Sequence, residues 1–144
     1  MNRDRIKVLF VNDHLGYPGG VIHGATRYFL NVLPRLNRDE IDLKVCFFRE
    51  RHPAAEQLEA AGICPIFLNR RKWDLRVLRD LIHLVREHDA DILHLNGMKG
   101  CLLGRCAARV TGRHAIIHLH DVNPPGLVTG FLQRRVARSR NSLR

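Results

Sequence analysis

The chain has 144 residues, and its hydrophobic fraction of 45% suits one globular domain with a sizeable core. Its net charge of +10 favours anionic partners such as membrane surfaces, nucleic acids or polyphosphates, with solvated helix faces as the plainer explanation. No run of eighteen apolar residues occurs and no apolar signal region precedes the first strand, so we expect no membrane-spanning helix and a cytoplasmic location.

The first elements in chain order are a buried strand at 6–11, a glycine-rich turn at 12–24 and a helix at 25–36. Pro34 lies inside the helical pattern, which predicts a kink or an early end near Val32 or Leu33. Four glycines between positions 16 and 24 permit positive φ angles and the close approach of a ligand to the backbone. The following helix would point free N–H groups at a phosphate or carboxylate, although a tight connection without a ligand is the alternative.

Two nucleotide-binding motifs can be compared with this turn, and neither fits. The dinucleotide fingerprint G-x-G-x-x-G does not match the glycine positions. The P-loop spacing is present from Gly19 to Gly24, but Ala25 and Thr26 follow, so its lysine is missing. The sequence therefore supports neither an NAD-type site nor a P-loop NTPase.

The rest of the chain continues to alternate strands and helices. Strands are predicted at 43–48, 64–68, 91–96 and 115–120, and helices at 53–61, 75–88, 102–110 and about 127–140, the last one basic. Pro65 places the third strand near a sheet edge, Asp74 is the predicted cap of the helix at 75–88, and Leu75 belongs to the buried face of that helix. The alternation predicts a single α/β domain over 1–144, an open, mostly parallel Rossmann-like sheet with helices on both faces.

The four cysteines carry no recognised motif. None of Cys46, Cys64, Cys101 and Cys106 is spaced C-x-x-C, which argues against a zinc knuckle and a thioredoxin-type redox site. We expect buried free thiols in a reducing compartment.

Polar residues follow three of the predicted strands, where an open parallel sheet binds its ligands. We expect them to converge on one cleft with the glycine turn: Asp13 and His14 after the first strand, Asn96 and Lys99 after the fourth, and His118, His120 and Asp121 at the end of the fifth. His118 and His120 alternate with Leu119 and should share one face of the sheet.

The histidine pair allows several interpretations. Zinc could use it with Asp121 or His94, but nothing completes such a site convincingly, so we predict no metal. A histidine there could instead act as a hydrogen-bond donor or acid/base toward a sugar hydroxyl or phosphate. A satisfied core histidine is the alternative, favoured more for His118 than for His120.

From Ile6 to Gly126 the chain resembles the N-terminal domain of GT-B glycosyltransferases of family 4, the glycosyltransferase subfamily 4-like domain. The resemblance is carried by short segments in the family's order and spacing, namely 7–11 followed by Gly19-Gly20, then 56–63, 91–96, 99–105 and 117–121.

This resemblance implies a retaining transfer of a sugar from a nucleotide-diphosphate donor to a cell-envelope, polysaccharide or lipid-linked acceptor, with no metal or other cofactor required. It places Gly19 and Gly20 beside the donor diphosphate, His120 near the transferred sugar as the catalytic residue, and Asn96 and Lys99 on the acceptor side. Two basic clusters, at 70–79 and in the last eleven residues, would suit an anionic membrane surface at the cytoplasmic side.

One departure from the family is large. Family members hold the donor mainly through a second, C-terminal domain with an E-x7-E motif, and no two glutamates here have that spacing. We therefore expect that domain to be absent, or supplied by a partner subunit, and the chain alone to be inactive.

Two alternatives stand beside this hypothesis. A flavodoxin-like binding or signalling module is one, although the acidic cluster and the lysine of a phospho-receiver are missing from the expected strand ends. A nucleic-acid binder is disfavoured by an aromatic content of 6% and by the lack of a recognisable motif.

Overall fold

The computed structural model describes residues 5–118, 120 and 142–143. The strands are β1 (Ile6–Asn12), β2 (Ile41–Phe47), β3 (Ile66–Phe67), β4 (Ile92–Asn96), β5 (His114–His118) and β6 (Ser142–Leu143). The helices are α1 (Gly24–Val32), α2 (Ala55–Ala60), α3 (Arg76–His88) and α4 (Met98–Thr111), with 3₁₀ turns at Pro18–Gly20 and Leu33–Arg35.

The strands form one sheet in the order β3-β2-β1-β4-β5-β6, and every neighbouring pair is parallel. This confirms the predicted α/β class. From β1 the chain moves outward through β2 to β3 and then returns to β4 on the other side of β1. Connections leave β1 and β4 in opposite directions, so a crevice opens between their carboxyl ends.

Alternate residues of β1 enter two separate cores. Leu9 and Val11 pack in the layer formed with α3 and α4. Phe10 packs in the layer formed with α1 and α2, where its ring centroid lies 4.9 Å from that of Phe29. All four side chains are fully buried, and each such residue contributes about 1.5–3 kcal/mol to folding. The helices therefore cover both faces of the sheet, as predicted.

β4 divides its side chains in the same way. Leu93 and Leu95 are buried under α3 and α4, whereas His94 and Asn96 occupy the opposite face, toward α1. A Cβ on Gly104 would lie 2.2 Å from a methyl carbon of Leu95, so α4 packs on the strand at a distance that only glycine allows.

Several boundaries differ from prediction. α4 begins at Met98 rather than 102, because Gly97 turns the chain within one residue (φ 68°, ψ 163°) and so places Lys99 in the first helical turn. β5 ends at His118, so His120 follows the strand rather than closing it. Asp74 accepts a hydrogen bond from the Arg76 backbone N–H (2.9 Å), although the residue at the cap position is Leu75.

Two burial predictions were wrong. Leu75 is 78% exposed because it precedes the first turn of α3, whose buried residues are Val77, Leu81 and Val85. Cys64 is exposed because it precedes the two-residue strand β3, whereas Cys46 and Cys101 are buried as expected and Cys106 is half-buried.

Other predictions are confirmed. α1 ends at Val32, and Pro34 lies in the 3₁₀ turn that follows it. β3 is an edge strand, as the proline indicated. Within the described part of the chain, no helix has the length and apolarity that crossing a bilayer demands. Asp121 and the predicted basic helix at about 127–140 lie outside the described residues.

Candidate functional site

The glycine loop after β1 is closed by a short antiparallel bridge between Tyr17 and Val21, whose backbones share a hydrogen bond of 2.8 Å. Gly19 and Gly20, inside the bridge, both have φ near +81°, a conformation that other residues rarely adopt. No atom lies within 4 Å of the position a Cβ would take at either glycine. The loop therefore presents exposed backbone in a conformation fixed by its two glycines.

This loop borders a cavity with a volume of about 610 Å³. Its walls come from the segments that follow β1 and β2, together with Lys72. The lining residues are Asp13, His14, Gly16, Tyr17, Pro18, Gly19, Gly20, Arg49, Glu50, Arg51, His52, Pro53 and Lys72. Four residues predicted for the site, Asp13, His14, Gly19 and Gly20, thus surround one cavity at the carboxyl edge of the sheet.

A buried histidine that the sequence analysis missed anchors the glycine loop. The Ala54 backbone N–H donates to Nδ1 of His52 (3.1 Å), so the ring proton is on Nε2, which donates to the Tyr17 carbonyl (3.2 Å). A Cβ on Gly16 would lie 2.4 Å from this ring. Gly16 therefore leaves room for His52, and His52 ties the loop to the segment after β2.

Lys99 and Asp13 face each other beside the cavity, with the lysine Nζ 4.0 Å from a carboxylate oxygen. Both of these atoms are shielded from solvent and lack a hydrogen-bond partner among the described residues. The ammonium group also lies 5.6 Å from the centroid of the Phe48 ring. Burial lowers the pKa of Lys99, and the nearby Asp13 carboxylate opposes that shift. Both atoms are therefore available to hydrogen-bond a ligand.

Three histidine rings stack along the α1 face of β4 and β5. The His94 and His118 centroids are 5.6 Å apart, and those of His118 and His120 are 4.1 Å apart, which confirms the predicted shared face. Burial lowers the pKa of His94 to about 4, with a further contribution from the two neighbouring histidines, so His94 is neutral at pH 7. Among the residues with described positions, no three His, Cys, Asp or Glu side chains are arranged to hold a metal ion.

Asn96 orients the last of these rings. Its side chain is fully buried, and its amide nitrogen donates to the carbonyls of Val11 (3.4 Å) and His94 (3.3 Å). Its oxygen is left to accept from Nε2 of His120 at 3.2 Å. The bond assigns the His120 proton to Nε2, because an amide oxygen only accepts. Cross-strand packing thus sets both the position and the tautomer of His120.

The predicted single cleft is in fact two neighbouring groups of residues. His118 and His120 do not line the cavity beside the glycine loop. Helix α1 connects the two groups: at its start the His23 ring lies 5.2 Å from that of His14, and further along the Phe29 ring lies 5.2 Å from that of His120. The predicted site residues that the structure describes therefore lie near the carboxyl ends of β1, β4 and β5, but in two groups rather than in one cleft.

The chain is similar to known glycosyltransferases in sequence and in fold. The model of Glycosyltransferase Family 4 matches residues 22–144. Among solved structures, Anabaena Alr3699/HepE in complex with UDP-glucose is 22% identical with a TM-score of 0.69, and the match covers 92% of this chain and 35% of that one. The HepE complex with UDP is 21% identical with a TM-score of 0.67, and the match covers 92% of this chain and 35% of that one.

A more distant structure shares the general architecture. The UDP-glucose-4-epimerase (galE) of Stenotrophomonas maltophila, with bound NAD and formylated UDP-arabinopyranose, is 14% identical with a TM-score of 0.50, over 78% of this chain and 36% of that one. No curated protein matches the sequence. The chain spans about a third of the length of HepE, and its parallel Rossmann-like sheet is the one found in such GT-B structures. The chain belongs to glycosyltransferase family 4.

Proposed function

We propose that this chain is the N-terminal, acceptor-side domain of a retaining glycosyltransferase. The enzyme would move a sugar from a nucleotide-diphosphate donor to a cell-envelope or polysaccharide acceptor, either a glycan or a lipid-linked one. Family membership and the GT-B sheet support the reaction class. The similar HepE structures contain UDP or UDP-glucose, which favours a nucleotide sugar as donor.

The observation that carries this proposal is the open glycine pair at the cavity. Gly19 and Gly20 hold their backbone at positive φ with free space around each Cα, so a diphosphate could approach the main chain directly. Backbone N–H groups in such turns form concave sites for anions. His14 and Lys72 line the same cavity and add cationic or hydrogen-bonding groups.

We assign His120 to the transferred sugar as the catalytic residue. Its Nε2 proton is held by Asn96, and its ring is backed by Phe29 and Tyr28, so it is fixed in orientation before any substrate binds. Because the Nε2 proton is engaged by Asn96, the neutral ring presents Nδ1 to the substrate as an acceptor, which can take a hydrogen bond or a proton from a sugar hydroxyl. His118 stacks on it and belongs to the same side of the site.

The acceptor would bind next to this histidine. Lys99 offers its ammonium group and Asp13 one carboxylate oxygen, both without a hydrogen-bond partner among the described residues, and acceptor hydroxyls could satisfy both. Asn96 and His14 complete the acceptor side, and we place Asp121, outside the described residues, there as well. This chemistry requires no metal or other cofactor.

Transfer requires donor contacts beyond these residues. The match covers only about a third of HepE, so a C-terminal donor-binding domain, or a partner subunit that supplies one, would complete the cleft. We infer that the 144-residue chain alone does not turn over. Release of nucleoside diphosphate and labelled acceptor by the purified chain would contradict that inference.

The donor site can be tested by titrating the ¹⁵N-labelled chain with nucleotide-diphosphate sugars, UDP-glucose among them. We expect the Gly19 and Gly20 amide resonances to shift, and Gly19→Ala to weaken binding about tenfold, about 1.4 kcal/mol. Gly62→Ala is the matched control, because Gly62 also has positive φ (76°) and open surroundings but lies at the end of α2. If Gly19→Ala and Gly62→Ala bind every donor equally well, the diphosphate assignment is wrong.

A further inference from the structure

The segment between β3 and α3 exposes two large apolar side chains. Trp73 is 84% exposed and Leu75 is 78% exposed, and we call residues 70–75 the Trp73 loop. Single exposed apolar residues are common, but a tryptophan and a leucine two positions apart, both projecting into solvent, form an apolar tip. A tryptophan combines an apolar ring with a polar N–H, which suits the boundary between water and lipid.

Positive charge surrounds this tip. Between positions 70 and 80 five basic residues face two acidic ones, so the segment has a net charge of +3. Both acidic residues are already paired, Asp80 with Arg70 at 2.7 Å and Asp74 with Arg76 at 2.8 Å. The remaining cations include Arg71 and Lys72, both exposed and without a carboxylate partner in the part of the chain that the structure describes.

The Trp73 loop lies at the same sheet edge as the candidate site. Its first residue, Arg70, donates its backbone N–H to the carbonyl of Phe48, the residue that follows β2 (2.8 Å). Lys72 lines the cavity beside the glycine loop, and its Nζ lies 5.7 Å from the centroid of the Trp73 ring. A surface that held the tip of this loop would therefore lie next to the mouth of the cavity.

We propose that the Trp73 loop docks the domain on an anionic lipid bilayer. Trp73 and Leu75 would enter the interfacial layer while Arg71 and Lys72 remain among the headgroup phosphates. A second copy of the chain is a poor occupant, because two copies of the segment 70–80, each with a charge of +3, repel each other. The role of this docking rests on the proposed function. A glycosyltransferase whose cavity is held at a membrane surface would receive its acceptor as a lipid-linked sugar.

Trp73 is the only tryptophan in the chain, so its fluorescence reports on the tip alone. On adding vesicles of phosphatidylcholine with phosphatidylglycerol, the emission should move to shorter wavelength and be quenched by brominated lipid chains. Vesicles of phosphatidylcholine alone should give little of either change. Raising the salt to 1 M, where the screening length falls to about 3 Å, should release the domain.

Variants separate the two contributions in a vesicle co-sedimentation assay. Arg71→Gln with Lys72→Gln should lower the partition coefficient about 25-fold, since each nearby cation contributes about fivefold. Trp73→Ala should lower the partition coefficient about tenfold, which is the change expected if about 60 Å² of the tryptophan ring is buried in the bilayer. The matched control is Arg109→Gln with Val110→Ala, which also removes an exposed cation and an exposed apolar side chain, but at the far end of α4. Binding of that control should be unchanged.

Three results would overturn the proposal: no spectral shift with anionic vesicles, equal binding to neutral vesicles, or equal losses in the loop variants and the control. Dimerisation without vesicles that Trp73→Ala abolishes would also overturn it, by assigning the tip to a second copy. Nucleotide-sugar binding by the soluble chain is measured without vesicles, so failure of the proposed function and failure of this docking surface give different results.

Discussion

Gly97 joins β4 to α4, and replacing it with alanine tests how the site is positioned. Its backbone (φ 68°, ψ 163°) lies in a region that is essentially restricted to glycine, where another residue costs about 1–3 kcal/mol. A Cβ there would also lie 2.9 Å from the side-chain oxygen of Asn12. Asn12 is buried, and its side-chain amide donates to the His14 carbonyl at 2.8 Å. Moving this side chain would weaken that hydrogen bond and lower the free energy of unfolding by a further ~1 kcal/mol.

We therefore expect Gly97→Ala to lower the free energy of unfolding by about 2–4 kcal/mol. Two other glycines separate the causes. Gly62→Ala has positive φ (76°) but open surroundings, so it should cost only about 1–2 kcal/mol. Gly24→Ala, at the start of α1, has neither positive φ nor a neighbour within 4 Å, so it should be neutral or stabilise by up to ~1 kcal/mol.

Urea denaturation followed by far-UV circular dichroism measures all three variants. The slope of each transition should stay constant, which would place the change in the folded state. The reasoning is refuted if Gly97→Ala is as stable as Gly62→Ala, because the contact with Asn12 would then cost nothing. It is refuted more broadly if all three variants are equal, because backbone conformation would then not matter either.

Three further outcomes are expected. Because burial lowers the pKa of His94 to about 4, the unfolded state binds more protons than the folded state between about pH 4 and 6.5. The free energy of unfolding should therefore fall, by at most about 3 kcal/mol, as the pH drops through that window. His94→Gln should flatten this pH profile, whereas the control His83→Gln, at a side chain that is 78% exposed, should not. Thr26→Val keeps the shape of a fully buried side chain but removes the hydroxyl that donates to the Leu15 carbonyl (2.7 Å). The free energy of unfolding, measured by urea denaturation, should therefore drop by about 1–2 kcal/mol. An unchanged midpoint of the urea transition would contradict this. A disulfide-exchange reagent should modify the exposed Cys64 fast in the native protein, but Cys46 and Cys101 only on unfolding. Burial shields these two thiols and raises their pKa values, to about 12 for Cys46 and about 11 for Cys101. Equal modification rates for all three cysteines would contradict the burial of Cys46 and Cys101.

Hydrophobic periodicity and helix-breaking residues predicted most of the fold. The apolar run of β1, the alternation of strands and helices, and the early end of α1 that Pro34 predicted depend on local signals, and the structure has all three. The start of α4 was missed because Gly97-Met98-Lys99-Gly100 has the composition of a turn. In the folded chain one glycine makes the turn and the next three residues are helical, which depends on packing rather than on composition.

The site was predictable only as far as strand ends could be located. The alternation of His118 and His120 predicted one shared face, and their rings do stack, although β5 ends at His118. The Asn96–His120 hydrogen bond needs the register of β4 against β5, in which Asn96 pairs with His118, and no local pattern contains that register. His52 was missed because its role depends on a loop 35 positions earlier; its only local signal is its position just before Pro53 and a short helix.

The two-sided arrangement of β4 has a practical consequence for anyone who redesigns this protein. Leu93 and Leu95 are buried beneath α3 and α4 and can be repacked to adjust thermal tolerance. Asn96, on the reverse side of the same five-residue strand, is also fully buried, and its amide donates to two backbone carbonyls while it accepts from His120. A substitution at Asn96 would therefore change reactivity and thermal tolerance together, so a library aimed at thermal tolerance alone belongs at Leu93 and Leu95.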